Sequence, residues 1–135
     1  MKQTSENYRS NCPINFVLET FGDKWTLLIV RDLMFKGKSN FREFLKSDEK
    51  IATNILSDRL KRLEEHGIVE KSEDEANRSK LNYRLTAKGI DLMPIMLEIT
   101  AWSAKHDKLT NTPKTFRKTL AEDREGMIAA FMADL

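Results

Sequence analysis

The residues best placed to do chemistry are polar side chains on one short stretch, Thr53, Asn54, Ser57, Asp58, Lys61 and Arg62, interleaved with Leu56, Leu60 and Leu63. Leucines at i, i+4 and i+7 turn one face of a helix into a core and leave the opposite face outward. The outward set offers hydrogen bonds rather than a reaction. The Asn54 amide suits a two-point grip on adenine, Thr53 and Ser57 can bond a base or a phosphate, and Lys61 suits phosphate or guanine. Asp58 accepts only from cytosine or repels phosphate. A helix over residues 53–66 is about 21 Å long at 1.5 Å per residue and fits a major groove roughly 12 Å wide.

The second chemical group is Cys12, directly before Pro13. Proline favours the first helical position, so the thiol sits where the positive end of the helix dipole favours thiolate and faster oxidation. A small residue with no signalling role is the bland alternative. His66 and His106 are distant from Cys12 and from each other, without the spacing of a structural zinc site. There is no HExxH, no glycine-rich phosphate loop and no GxSxG elbow. The expectation is therefore no catalytic residue, no metal and no cofactor.

The elements that must position these groups are legible from period and punctuation. With 135 residues, 40% hydrophobic and 33% charged, and only 5 Gly and 3 Pro, the chain is too apolar for disorder and too poor in breakers for a many-turned sandwich. The apolar run Leu27, Leu28, Ile29, Val30 is far short of the roughly 20 residues that cross a bilayer. With one cysteine and a polar start, the expected location is the cytoplasm. The net charge is +2, and residues 36–88 carry 13 Lys/Arg against 10 Asp/Glu, so the positive excess lies in the middle.

Ile14, Val17, Leu18 and Phe21 predict an amphipathic helix ending at Gly22, and residues 24–35, apolar almost all round, a central helix closed by Gly37. Asn40 followed by Glu43 predicts a capping box for a two-turn helix with Phe41, Phe44 and Leu45 inward. The next helix is capped by Ala52 or Thr53; if by Ala52, Ile51 and Leu56 form a hydrophobic staple. After Gly67 the period becomes two: Ile68 and Val69 open one strand, Leu81, Tyr83 and Leu85 mark another, and residues 73–79 form a hairpin tip. Arg78 and Lys80 put cations on that tip, with Glu73, Asp74 and Glu75 close by as a counterweight. Thr86 is the expected cap of one long helix to His106, kinked at Pro94, with Leu92, Ile95, Ile99 and Trp102 on one stripe and Met93, Met96 and Leu97 on another. That is more apolar surface than one small core absorbs, which predicts a partner chain. Residues 107–135 add one or two amphipathic helices. Two helices, a polar outer face and a hairpin form the order of a winged helix-turn-helix.

The motifs Cys12-Pro13-Ile14, Gly22-Asp23-Lys24-Trp25-Thr26-Leu27-Leu28-Ile29, Arg31-Asp32-Leu33, Phe41-Arg42-Glu43-Phe44, Arg59-Leu60, Leu63-Glu64-Glu65-His66-Gly67-Ile68-Val69 and Tyr83-Arg84-Leu85-Thr86-Ala87-Lys88-Gly89 resemble the HxlR family of bacterial, MarR-like transcription regulators. The resemblance covers about residues 12–102. It implies a mainly α fold with a small β-hairpin wing (α+β) and a winged-helix homodimer on a two-fold operator in double-stranded DNA; repression, by steric exclusion of polymerase, is expected over activation. Several relatives use a cysteine matching Cys12 to sense oxidants or electrophiles. Departures from the family pattern are Ala52 where Ser commonly caps, Asn77-Arg78-Ser79-Lys80 in place of a Pro-rich wing tip, and the tail 107–135. The expected organisation is an N-terminal flexible arm over 1–11, a DNA-binding and dimerisation domain over 12–106, and a helical extension over 107–135 that lengthens the dimer interface. The candidate DNA contacts are Ser39, Asn40, Thr53, Asn54, Ser57, Arg59, Lys61, Arg78 and Lys80. Ile14, Leu18, Leu92, Ile95, Ile99 and Trp102 are the candidate dimer contacts, with no membrane partner and an oxidant or small-molecule effector. A winged-helix module that binds protein instead of DNA is the alternative from another class.

Overall fold

A computed structural model describes residues 7–135. The chain forms two compact units that divide between Thr86 and Ala87, so the boundary expected at residue 107 falls inside the second. The first holds α1 (Pro13–Phe21), α2 (Thr26–Phe35), α3 (Phe41–Leu45), α4 (Thr53–Glu65), β1 (Val69–Glu73) and β2 (Leu81–Leu85). The second holds α5 (Ala87–Ile90), α6 (Met93–His106), α7 (Phe116–Glu122) and α8 (Arg124–Ala133). Among the described residues no helix is long and apolar enough to cross a membrane.

The first unit is built as the leucine spacing requires. Leu56, Leu60 and Leu63 of α4 are buried with Ile29, Val30 and Leu33 of α2 and Phe44 of α3. Each such side chain contributes about 1.5–3 kcal/mol by leaving water. Ala52 is the N-cap of α4 and supplies no side-chain bond, while Ile51 and Leu56, both buried, occupy the staple positions on either side of it. At the other end the Gly67 N–H reaches the Glu64 carbonyl and the Ile68 N–H the Leu63 carbonyl, with Gly67 at φ +72°. This Schellman pattern needs a left-handed residue, which glycine adopts without cost, and it delivers the chain from α4 straight into β1.

The hairpin pairs Val69 with Leu85, Lys71 with Tyr83 and Glu73 with Leu81. Only Val69 is fully buried, so the hairpin leaves the core at its base and runs outward to its tip. An isolated bridge from Asn40 to Asn82, with the Tyr83 N–H donated to the Ser39 carbonyl at 2.6 Å, adds a short third edge.

In α1 Phe21 is buried, while Ile14 and Leu18, the expected dimer contacts, are exposed together with Val17, and the polar Asn15 and Thr20 are buried. Asn15 is satisfied by Glu19, the Ser10 carbonyl and Arg9, so burial leaves no amide unpaired. Arg9 also pairs with Glu19, so residues 7–11 of the expected flexible arm fold back on α1, while residues 1–6 lie outside the described residues. The expected helix over 86–106 is two helices, because Pro94 occupies the first turn of α6, where a missing N–H costs nothing, instead of kinking a continuous rod. The Thr86 hydroxyl donates back to the Gly67 and Ile68 carbonyls. The tail forms α7 and α8, which pack on α6 and each other, with Leu120 buried.

Three carboxylates tie the first unit together. Asp32, 2% exposed, receives Arg31 at 2.8 Å and the Ser47 hydroxyl, with Lys38 at 3.7 Å. Glu49 receives a two-point grip from Arg31 at 2.7 and 2.9 Å, which holds its carboxyl below the usual range despite partial burial. Glu43 accepts the Ser39 N–H at 2.9 Å and that of Asn40, and these amides lower it likewise. Carboxyls depressed in the fold stabilise it above their unfolded value near 4, and that stability is lost as pH falls through the folded values. Thermal melts are therefore expected to fall steeply below about pH 4, and Glu43→Gln should flatten the descent; an unchanged slope in that variant counts against this assignment.

Candidate nucleic-acid interface

The outer face of α4 carries Thr53, Asn54, Ser57, Asp58 and Lys61, all exposed. Its 13 residues span about 20 Å, enough to lie along a major groove. Lys61 has no ion pair among the described residues and is free to meet an anion.

Arg59 does not join that face. It stands next to Leu60 and three residues after Leu56, at the margin of the buried stripe, and only 17% of its side chain is exposed. Its guanidinium meets Asp23 at 3.2 Å and also contacts Asp58. Arg62 reaches Asp23 at 3.3 Å and Asp58 at 3.9 Å. Ser39 and Asn40 are likewise occupied. Asn40 is buried and caps α3, accepting the Glu43 N–H at 3.1 Å while Glu43 accepts back from its backbone, as the capping box predicts. Ser39 is half-buried and hydrogen-bonded to Glu43.

At the wing, Asn77, Arg78, Ser79 and Lys80 are exposed. Of the acids beside them, Glu73 and Glu75 are exposed and Asp74 is half-buried. Asp74 is spent on the turn: it accepts the Ala76 N–H at 2.9 Å, the Asn77 N–H at 3.2 Å and the Asn82 amide at 3.0 Å. The Asn82 amide first, then the Ala76 N–H, lower its carboxyl from the usual range. Ser79 gives its N–H and hydroxyl to Asn77, at 3.1 and 2.7 Å, which shapes the tip that presents Arg78 and Lys80.

Between α3 and the hairpin runs an open groove of about 610 Å³, lined by Phe41, Leu81 and Tyr83 with Arg42 and Lys80. Arg42 is the cation the sequence reading missed. It is exposed on the first turn of α3, next to Phe41, which lines the groove; of Phe41, Phe44 and Leu45, all expected inward, only Phe44 is buried.

Two apolar faces lie open to solvent. On α1, Ile14 (72%), Phe16, Val17 and Leu18 are exposed. On α6, Ile95, Ile99 and Trp102 (67%) are exposed and, with Pro94, line a shallow groove of about 420 Å³ flanked by Glu98 and Arg124. Leu92, expected on this stripe, is 8% exposed: the break before α6 makes it the N-cap and turns its side chain inside the chain. Cys12 is the N-cap of α1 and is exposed. The Asn15 N–H, then that of Ile14, pull its thiol below the ordinary value without closing a capping bond. Among the described residues no cluster of His, Cys, Asp or Glu could hold a metal.

Comparison with known proteins agrees with this geometry. The HTH-type transcriptional regulator YodB of Bacillus subtilis is 33% identical over 93 residues, 68% of this chain and 82% of YodB. Its quinone-bound crystal structure superposes with a TM-score of 0.58 at 32% identity, covering 70% of this chain and 99% of that one. The redox regulator HypR in its oxidised form gives 0.61 at 33%, covering 70% and 96%. The regulator sll1512 of Synechocystis is 33% identical over 86 residues, 64% of this chain, and the match spans 63% of its own length. The profile of the HxlR-like helix-turn-helix family matches residues 20–111, more than half of the chain. The chain belongs to that family, and is a DNA-binding helix-turn-helix regulator of transcription.

Proposed function

We propose that the protein is a homodimeric repressor of a palindromic operator, with Cys12 as its oxidant- or electrophile-responsive group. The observation that carries the reading is the pairing of an exposed, hydrogen-bonding face on α4 with a cationic wing tip on the same unit. A dimer that sets two α4 helices about 34 Å apart places them in successive major grooves. The open faces of α1 and α6 supply apolar surface for such a dimer. The tail belongs to the same interface, with Met127, Ile128, Phe131 and Met132 only half-buried; truncation at Asp107 should weaken the dimer.

Selection of bound duplexes from a random pool tests the reading, and an inverted repeat is expected. On the recovered site, Asn54→Ala should cost about 5- to 150-fold and relax preference at one base pair. Lys61→Ala, Arg42→Ala and Lys80→Ala should each weaken all duplexes alike and lower the logarithmic salt slope by about 0.9. Salt-independent binding, or no enriched repeat, would sink the reading.

Cys12 gains support from its exposure at a helix N-terminus and from the redox and quinone-bound relatives above. Diamide or a quinone should release the operator from the wild type and leave Cys12→Ser bound. Equal release in the variant refutes the sensor.

A further inference from the structure

The two arginines of α4 that do not face outward share the carboxylate of Asp23, and each also contacts the more exposed Asp58. Asp23 lies in the link between α1 and α2, immediately after Gly22, where an added Cβ would come within 2.4 Å of the Leu18 carbonyl oxygen. Its carboxylate is fixed on the α2 side by the Trp25 N–H at 2.7 Å, the Thr26 N–H at 3.0 Å and the Thr26 hydroxyl at 2.6 Å. Thr26 itself is fully buried, so this anchor cannot drift. The same two oxygens meet the arginines, Oδ1 at 3.2 Å from Arg59 Nε and Oδ2 at 3.3 Å from Arg62 Nη1. Arg59 Nε is buried and finds no well-directed hydrogen bond, so its charge is compensated by the nearby Asp23 together with Asp58 at its Nη1. With Asp58, the group is two acids and two guanidiniums, electrically balanced and largely screened from solvent at Arg59 and Asp23.

Left unpaired, these arginines would be the strongest phosphate ligands on the helix, because a guanidinium offers a fork of donors to two oxygens. Phosphate contacts carry affinity but no sequence information. We propose that Asp23 is a positioning residue that sets the sequence specificity of the regulator without touching DNA, by withholding Arg59 and Arg62 from the phosphate backbone. The face left to meet DNA is then Thr53, Asn54 and Ser57, which discriminate bases, with Lys61 as its unpaired cation. The inference rests on the reading of α4 as the helix that enters the major groove.

Asp23→Asn keeps an oxygen for the Trp25 and Thr26 amides and removes the less exposed of the two charges that hold the arginines, leaving them only the exposed Asp58. Binding is measured on the selected operator and on a random-sequence duplex of equal length, across a salt series. The expected result is tighter binding to the random duplex, a salt slope steeper by about 1–2, and an operator-to-random ratio at least tenfold lower. In Asp23→Asn combined with Arg59→Gln and Arg62→Gln the gain should disappear. A merely structural Asp23 would lower the melting temperature and leave slope and ratio unmoved; that result overturns the proposal, as does a gain that survives the triple substitution. Failure of the underlying reading is seen separately, as an operator affinity indifferent to Asn54→Ala and Lys61→Ala.

Discussion

On the homodimer and operator proposed above, Ile99→Asp is expected to yield a monomer and to weaken operator binding by at least about a thousandfold, to the non-specific level. The argument starts from exposure. Ile95, Ile99 and Trp102 recur on α6 at spacings that align them on one face, and each keeps over 40% of its surface in water. At about 25 cal/mol per Å² of apolar surface, covering such a face twice over, once on each protomer, supplies most of the driving force for a symmetric dimer. A carboxylate placed there must be desolvated without a partner, which costs several kcal/mol per copy, and twofold symmetry doubles it. A monomer engages one half-site only and loses the second helix's contribution. Since Ile99 is exposed within the chain, helicity and thermal stability of the monomer should change little. Sedimentation and gel-shift titration of the same sample check both parts; a dimer that persists in Ile99→Asp would remove α6 from the interface.

The parts legible in the sequence are those governed by local rules. The Asn40–Glu43 capping box, the Ile51–Leu56 staple around Ala52, the change from helix to strand at Gly67 and the inward leucines of α4 all appear as read, because a few neighbouring residues decide each of them. What was not legible depends on distant partners. Arg59 reads as an exposed cation until Asp23, 36 residues earlier, claims it. Asn40 reads as a ready hydrogen-bonder, yet the cap that the same sequence predicts already consumes its side chain. Asp74 reads as a loose tip charge, but the wing turn fixes its oxygens on the Ala76 and Asn77 amides and the Asn82 side chain, a role that only the folded tip reveals. On α1 the periodicity was visible, but the burial of the polar Asn15 and Thr20 was not, because it depends on Arg9, Glu19 and the packing of α1, not on the stripe. Pro94 shows the limit of punctuation, since the same residue fits a kink or a first turn and only the break before Met93 decides.

Leu60→Ala is expected to cost about 2–5 kcal/mol, a large share of the roughly 5–15 kcal/mol that holds a domain of this size. Leu60 is 2% exposed, on a stripe with Leu56 and Leu63, neither of which is exposed at all. Three buried carbons are lost, and α4 cannot move inward to refill the space, because the Ile51 staple pins one end and the Gly67 turn the other. For a unit under about 100 residues each kcal/mol is worth about 4–8 °C, so the melting temperature should fall by at least about 8 °C. The consequence for DNA is the informative part. Leu60 points away from the face that carries Asn54 and Lys61, so at low temperature, where the variant is still folded, operator affinity and salt slope should match the wild type. On warming, binding should fail in step with unfolding followed by circular dichroism. Weak binding at low temperature with an intact fold would place Leu60 on the DNA side of the helix, and with it would fall the orientation of α4 from which every contact above is derived.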